Sequence, residues 1–171
     1  RAKMSPAMGG QIASLTVKEG DMVKKDQILL ELWNKETKAR VVAAERTAEQ
    51  VCILSDKANR DANRITELFT KGLASEESKQ TAVSNAESTA ASCNASKAQV
   101  DVTKASLERT MLIAPFDGII AEIEGELGEY VTPSPVGVAT KPTVDLIDNS
   151  CIYIKAPIDE IDAPEVVSGL K

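Results

Sequence analysis

The sequence contains no histidine and few aromatic side chains, and both shortages narrow what the chain can do. Histidine is absent from all 171 residues, and Phe, Trp and Tyr together account for 3% of them. No cysteine has an evident activating partner either, so the usual nucleophile and base of an enzyme are missing. We therefore predict no enzyme and no catalytic residue. Because a thick core usually contains more large side chains than this, thin or elongated modules are favoured.

Basic clusters, metal-ligand motifs and long apolar runs are also missing. The net charge is −6, without a dense basic stripe, which argues against nucleic acid or an anionic membrane surface as the main partner. The three cysteines, Cys52, Cys93 and Cys151, form no CxxC pair, so no metal site, cofactor site or disulfide framework is predicted. No apolar run approaches the roughly 20 residues that cross a bilayer, and the sequence contains no signal-peptide pattern. We expect the chain to be a piece of a longer protein.

Short apolar runs on both sides of the sequence predict β-strands. Residues 12–32 contain two or three such runs, separated by Gly20 at a position typical of a tight turn. Residues 111–147 contain further runs, and Asp117-Gly118 predicts a turn between two of them. A last strand is predicted at residues 151–157, before an acidic loop.

Between the two β regions, the spacing of apolar and small residues predicts two long helices. No Gly or Pro lies between Asn34, a candidate N-cap, and Lys71. The residues that follow a heptad pattern there are Val41, Ala44, Ala48, Val51, Ser55, Ala58, Ala62, Ile65 and Phe69. Such a seam is typical of a helix that packs along its length against another helix.

A glycine and a serine mark the turn between the helices. Gly72 is placed to end the first helix, and Ser75 is placed to cap the second. The seam predicted for the second helix is Val83, Ala86, Ala90, Cys93, Lys97, Val100, Lys104 and Leu107. Two helices joined by so few residues fold back antiparallel, into a hairpin about 50 Å long. The antiparallel hairpin brings Cys52 near Cys93. Two buried thiols are the favoured prediction, because a disulfide forms only within a narrow range of Cβ geometries, although a disulfide is possible.

The order of these segments resembles a known family. Residues 10–29, with Val-Lys-Glu-Gly-Asp-Met-Val at 17–23, look like the first half of a biotinyl/lipoyl-type β-sandwich. Residues 113–131, with Ala-Pro-Phe-Asp-Gly-Ile-Ile at 114–120, look like the second half. A sandwich divided by a helical hairpin resembles the membrane fusion proteins of the hemolysin-D type, the periplasmic adaptors of tripartite efflux and secretion systems.

The resemblance implies an α+β fold, in which a long antiparallel coiled-coil hairpin is inserted between two halves of a lipoyl-type β-sandwich, with part of a β-barrel domain. We expect a strand on the β-barrel side at 1–9 and the first lipoyl half at 10–34. The hairpin is expected at 35–110, the second lipoyl half at 111–148 and the start of the β-barrel domain at 149–171.

A finer resemblance lies at the predicted hairpin tip. Adaptors that engage TolC-type ducts carry Arg, then Leu four positions later, then Ser seven positions after that, and this sequence has Arg64, Leu68 and Ser75. The resemblance implies that these residues dock on a TolC-type outer-membrane channel. It also implies an inner-membrane transporter as partner, ATP-driven (ABC) or proton-driven, and a homo-oligomer, six copies in the family's usual assembly. The expected location is the periplasm, with the full-length protein attached to the inner membrane.

Other interpretations remain open from the residues alone. Each tip residue has a local explanation, Arg64 as a solvated side chain, Leu68 as the end of the seam and Ser75 as an N-cap. A lipoyl or biotin carrier with a helical insertion is an alternative; it would use Lys35 or Lys38. A structural coiled-coil protein is another, and it leaves the β halves unexplained. The acidic residues Asp159, Glu160 and Asp162 are typical of a solvated turn.

Overall fold

The computed structural model describes residues 1–133 and 141–148, which form two small β-sheets and two long helices. The elements, in chain order, are β1 (Ala2–Met4), β2 (Gly10–Leu15), β3 (Met22–Val23), β4 (Ile28–Leu32), α1 (Lys35–Thr70), α2 (Glu76–Glu108), β5 (Met111–Ile113), β6 (Gly118–Ile123), β7 (Tyr130–Val131) and β8 (Val144–Ile147). The strand predicted at 151–157 and the β-barrel segment predicted at 149–171 lie outside these residues.

Each sheet takes strands from both sides of the hairpin. One sheet has the order β1-β8-β6-β3 and the other β5-β4-β2-β7. A single apolar core lies between them, formed by the buried side chains of Ile12, Val17, Val23, Leu29, Leu30, Leu32, Leu112, Ala114, Ile120, Val144 and Leu146. The predicted fold class, a helical hairpin inserted in a split β-sandwich, is confirmed.

The hairpin is inserted between two neighbouring strands. β4 precedes α1 and β5 follows α2, and these strands pair antiparallel, with Leu30 opposite Leu112 and Glu31 opposite Met111. Antiparallel neighbours lie about 5 Å apart, so the chain leaves and re-enters the sandwich at nearly the same point. The sandwich can therefore close around its core while the hairpin extends away from it.

The strand nearest the start of the sequence belongs to a sheet of the sandwich. β1 pairs antiparallel with β8, with Ala2 opposite Leu146, and the Arg1 guanidinium binds the buried carboxylate of Asp145 through Nε at 2.9 and 3.0 Å. This hydrogen-bonded ion pair holds the pKa of Asp145 below its usual range. The domain boundaries given above, including a β-barrel-side strand at 1–9, stay a prediction.

Asn34 lies at the N-cap position of α1, but its side chain does not cap the helix. The residue is buried, and its Nδ2 donates to Glu31 Oε1 at 2.8 Å and to Thr110 Oγ1 at 3.0 Å. Lys38 also forms an ion pair with Glu31, and together the Lys38 and Asn34 bonds lower the pKa of that carboxyl. Asn34 therefore fastens the two ends of the hairpin together at its base, rather than capping one helix.

The predicted seam is confirmed for α1, and in α2 its two lysines turn their ammonium groups out of it. Every predicted seam residue of α1 is buried or half-buried, but Lys97 and Lys104 of α2 are exposed. Ser96 and Thr103, one residue earlier in each case, are half-buried, and the Lys104 ammonium lies 2.8 Å from Glu45 Oε1 of α1. Burying an ammonium group removes its hydration, whereas the Thr103 hydroxyl donates a hydrogen bond to the Val100 carbonyl at 2.8 Å.

No helix of the described residues is both long enough and apolar enough to cross a bilayer.

The favoured prediction of two separate thiols in the hairpin is wrong. Cys52 and Cys93 form a disulfide, with their Cα atoms 4.7 Å apart. The helices carry mostly small residues on their facing sides, Ala48, Ser55 and Ala86 among them, so the two backbones approach closely enough for the bond.

The turn predicted at Asp117-Gly118 is not a β-hairpin turn. β5 and β6, on its two sides, belong to different sheets, so the segment crosses from one layer of the sandwich to the other. Asp117 Oδ1 accepts a hydrogen bond from the Lys25 backbone N–H at 2.6 Å. A Cβ at Gly118 would lie 2.4 Å from the Ile147 carbonyl oxygen, so glycine is required for β6 to approach β8.

Candidate partner-docking site at the hairpin tip

The turn at the hairpin tip is fixed by backbone hydrogen bonds. Gly72 adopts a positive φ of 74°, as predicted, and its N–H donates to the Phe69 carbonyl at 2.9 Å. The Leu73 N–H donates to the Leu68 carbonyl, also at 2.9 Å. These two bonds form a Schellman motif, which ends α1 and satisfies its last carbonyls. The tip is therefore a turn of defined geometry.

Ser75 caps α2, as predicted. Its Oγ accepts a hydrogen bond from the Ser78 backbone N–H at 3.1 Å and lies 2.8 Å from the Ser78 hydroxyl. The residue is exposed, and Glu76 and Glu77 follow in the first turn, where the positive end of the helix dipole stabilises them. The Ser75 hydroxyl group retains capacity for a partner on its exposed side.

Arg64 lies on the exposed surface of α1, two turns before the tip. Its guanidinium donates to Asp61 Oδ1 at 2.7 Å, and 68% of its side chain is accessible. An exposed i,i+3 pair of this kind contributes little to stability, about 0–1 kcal/mol. Exchanging Asp61 for a carboxylate or carbonyl of a partner would therefore cost little, and the guanidinium has further N–H donors to offer.

Leu68 lies one turn after Arg64 on the same side of α1, and its side chain is half-buried. Within the described residues, no hydrogen bond or ion pair joins the side chains of Arg64, Leu68 and Ser75 to one another. Arg64 and Leu68 share a helix face, and Ser75 lies beyond the turn at the start of α2. The tip thus presents a cation, a partly accessible apolar side chain and a hydroxyl as separate contacts.

Two further tip residues were missed by the sequence analysis. Leu73, in the turn, has 72% of its surface exposed. The ammonium of Lys79 lies 4.7 Å from the ring centre of Phe69, a cation–π contact between α2 and α1. An apolar residue directly after a C′ glycine is the available sequence signal for Leu73, but that signal does not distinguish an exposed side chain from a buried one. The Lys79 contact depends on how the helices face each other.

The lysines of the carrier alternative lie in a helix. Lys35 is the first residue of α1, and Lys38, one turn later, is held in the ion pair with Glu31. The strands on either side of the hairpin are joined by these helices, whereas a carrier presents its lysine in a tight turn between strands. The geometry at this position therefore does not support lipoyl or biotinyl attachment.

A comparison with protein families identifies the chain. The family model described as "RND MFP, barrel-sandwich hybrid domain", a membrane fusion protein domain, matches residues 1–139. The chain belongs to this family. Its members are membrane fusion adaptors of tripartite efflux systems, which work with an outer-membrane channel and an inner-membrane transporter and are not enzymes. The predicted membership in a membrane fusion protein family and the prediction that the chain is not an enzyme are confirmed.

Solved structures of other membrane fusion proteins share the fold. Spr0693, a membrane fusion protein from Streptococcus pneumoniae R6, matches with a TM-score of 0.57 and 19% identity, over 82% of this chain and 55% of that one. MacA from Actinobacillus actinomycetemcomitans matches with a TM-score of 0.52 and 20% identity, over 91% and 52% of the two chains. A putative efflux transporter from Bacteroides eggerthii DSM 20697 matches with a TM-score of 0.50 and 22% identity, over 87% and 40%. At these identities the likeness shows the fold alone.

The membrane fusion protein described here spans about half the length of these three structures. Homologous adaptors are periplasmic and anchored to the inner membrane.

Proposed function

We propose that this membrane fusion protein is a periplasmic adaptor that links an inner-membrane transporter to a TolC-type outer-membrane channel, and that it docks on the channel through its hairpin tip. Arg64 donates hydrogen bonds to carbonyl or carboxylate groups of the channel, Leu68 supplies an apolar contact and Ser75 pairs across a helix-to-helix contact. The observation that carries the proposal is the tip geometry: a fixed turn, with Arg64 and Ser75 exposed and Leu68 half-buried beside it, at the spacing of channel-binding adaptors.

The surface of the tip supports a docking role. Arg64 is largely exposed and held only by a weak surface ion pair, while Leu73 adds an exposed apolar side chain beside the predicted three. Arginine is one of the residue types enriched at binding hot spots.

The disulfide supports a periplasmic location. Disulfides form and persist in oxidising compartments, including the bacterial periplasm, and are rare in the cytosol. The Cys52–Cys93 bond lies in the hairpin, which in an adaptor extends through the periplasm towards the outer membrane. We base the proposed location and the proposed inner-membrane attachment on the homologous adaptors, which are periplasmic and anchored to the inner membrane.

The outer faces of the hairpin support assembly into a ring. Four large apolar side chains of the two helices are more than half exposed: Val42, Ile53, Leu54 and Val102. Exposed apolar side chains in this number on a thin hairpin favour a neighbouring surface that covers them. We propose that neighbouring copies provide it, six in all, so that the hairpins form a tube and the sandwiches form a ring below it.

Reversing the charge of Arg64 tests the docking role. In the full-length adaptor, Arg64→Asp is expected to abolish export. The variant replaces a hydrogen-bond donor by a carboxylate, which the carbonyl or carboxylate groups of the channel would repel. The matched control is Arg40→Asp: the Arg40 side chain is 72% accessible on α1 and forms a surface ion pair with Glu36 at 2.7 Å, but it lies near the base of the hairpin, far from the tip. Export by live cells and co-purification of the channel with the adaptor are the measurements.

Both variants should retain the wild-type helix content and thermal transition, because exposed ion pairs contribute at most about 1 kcal/mol. Undiminished export by a well-expressed Arg64→Asp protein removes the docking role. Equal loss of export in both variants shows that charge reversal anywhere on α1 is harmful, which also contradicts a role specific to the tip.

A further inference from the structure

We propose that the Cys52–Cys93 disulfide is a redox-sensitive staple that holds the distal segment of the hairpin, residues 53–92, and thereby controls the geometry of the docking tip. That the staple holds the segment is independent of the partner. That it controls docking rests on the function proposed above.

The disulfide divides the hairpin into two parts. It joins α1 and α2 roughly halfway along each helix, and the two cysteines are 41 positions apart in sequence. The chain enclosed between them contains the whole tip, including Arg64, Leu68 and Ser75. Every tip residue is therefore separated from the sandwich by this one covalent cross-link.

The distal segment buries no large apolar side chain, because Ile65 and Phe69 in its seam are only half-buried. Its core cluster consists of Ala58, Ala62 and Ala86, with Ala82 and Val83 half-buried against them. A buried alanine removes a single methyl group from water, so each contributes much less than a buried leucine. Ser55, also buried, adds almost no apolar area. Packing between the two arms beyond the disulfide is correspondingly weak.

Charged contacts do not compensate within the distal segment. Its described ion pairs lie within α1 (Arg64–Asp61) or between α1 and its C-cap residue (Lys71–Glu67), so neither joins the two helices. The pair that joins the two helices, Lys104–Glu45, lies on the side of the disulfide nearer the sandwich.

Across the arms, the distal segment has the cation–π contact of Lys79 with Phe69. The proximal part of the hairpin, between the disulfide and the sandwich, has the Lys104–Glu45 pair and is also held by the Asn34–Thr110 hydrogen bond and the pairing of β4 with β5. Once the disulfide is reduced, the distal segment should therefore unfold locally at a lower free energy than the rest of the protein.

The redox step is an ordinary thiol–disulfide exchange with a dithiol reductant. Cys52 is half-buried whereas Cys93 is buried, so a thiolate of the reductant attacks Cys52 Sγ, and Cys93 leaves as a thiolate that takes a proton from water. The second thiolate of the reductant then attacks the reductant sulfur that is bonded to Cys52 in the mixed disulfide. Cys52 leaves as a thiolate and takes up a proton. The Sγ–Sγ bond is reduced to two thiols, with two electrons and two protons, and the dithiol is oxidised to its disulfide.

Hydrogen–deuterium exchange with mass spectrometry tests the staple in the full-length protein. All proteins carry Cys151→Ser, which retains the disulfide and removes the third thiol. After reduction with dithiothreitol, or in the Cys52→Ser/Cys93→Ser variant, amides of residues 53–92 should exchange about tenfold faster or more. Residues 35–48, 100–108 and the sandwich should change little. Reduction of the disulfide-bonded protein, reversed by reoxidation, serves as the measurement if the double variant folds poorly.

Unchanged exchange in residues 53–92 overturns the staple, as does an increase spread equally over both parts of the hairpin. Channel binding is then compared between oxidised and reduced adaptor, with Arg64→Asp beside them. If Arg64→Asp abolishes binding while reduction does not weaken it, control of docking by the disulfide is overturned and the docking site stands. If Arg64→Asp binds normally, the docking function itself fails, whatever the exchange data show.

Discussion

The β-sandwich and the distal hairpin differ in what holds them together. The sandwich buries Leu29, Leu30, Val144 and Leu146 completely, whereas the distal hairpin buries alanines at 5–7% exposure and carries a disulfide. A buried leucine contributes about 1.5–3 kcal/mol by its transfer from water, and a methyl group about 0.8 kcal/mol. The two regions therefore have different roles. The tightly packed sandwich fixes the position of the thin hairpin, and the surface of the hairpin remains available to partners.

The largest expected effect is a cavity in the sandwich. Leu30 is fully buried between the sheets, so Leu30→Ala should lower the free energy of unfolding by about 2–5 kcal/mol. Urea denaturation followed by far-ultraviolet circular dichroism measures the change. The control is Leu54→Ala, on the exposed side of α1, which should cost less than about 0.5 kcal/mol. Equal losses in the two variants contradict the contrast between the regions.

A smaller effect is expected from a large residue in the alanine seam. Ala62 is 6% exposed between the closely packed arms, so Ala62→Leu should force the helices apart and cost about 1–3 kcal/mol. Ala43→Leu, at an exposed position of the same helix, provides the matched control. Faster amide exchange at the distal end of the hairpin should accompany the loss of stability. A more stable Ala62→Leu protein shows that the seam is underpacked instead of closely fitted.

The smallest expected effect is a loss of stability in acid, which is absent at neutral pH. The pKa values of Asp145 in the sandwich and Glu31 at the hairpin base are both lowered, by the bonds from Arg1 and from Lys38 with Asn34. A lowered folded-state pKa stabilises the protein above the unfolded-state value and loses that contribution as pH falls through the folded value. Thermal stability should therefore fall below about pH 4. Arg1→Gln should flatten this dependence, and an unchanged pH profile in that variant contradicts the assignment.

Much of the fold follows from local patterns in the sequence. The 3-4 spacing from Val41 to Phe69 predicts α1 because a helix buries one stripe of residues, and Gly72 and Ser75 predict its end and the start of α2 from backbone chemistry alone. The order of the sandwich halves came from resemblance to a family. Periodicity by itself does not tell which strands enter which sheet, and the crossing between layers at Asp117-Gly118 was missed for that reason.

The remaining features depend on contacts between distant residues. Asn34 has the composition of an N-cap, but burial beside Thr110 gives its side chain two stronger partners. The exposure of Lys97 and Lys104 follows from the cost of burying charge, which an unbroken heptad pattern ignores. The disulfide requires Cα atoms 4.7 Å apart across two helices, a distance that sequence spacing does not determine. The docking roles of Arg64, Leu68 and Ser75 stay predictions.

Site-specific photo-crosslinking in cells measures most directly whether the tip contacts the channel. A photoreactive amino acid is placed at position 64 or 68 of the full-length adaptor, and at position 46 as the control on the same helix. Docking through the tip predicts crosslinks to the TolC-type channel from positions 64 and 68 and none from position 46. A crosslink to the channel from position 46 alone, or no channel crosslink from either tip position in an adaptor that still supports export, would contradict it.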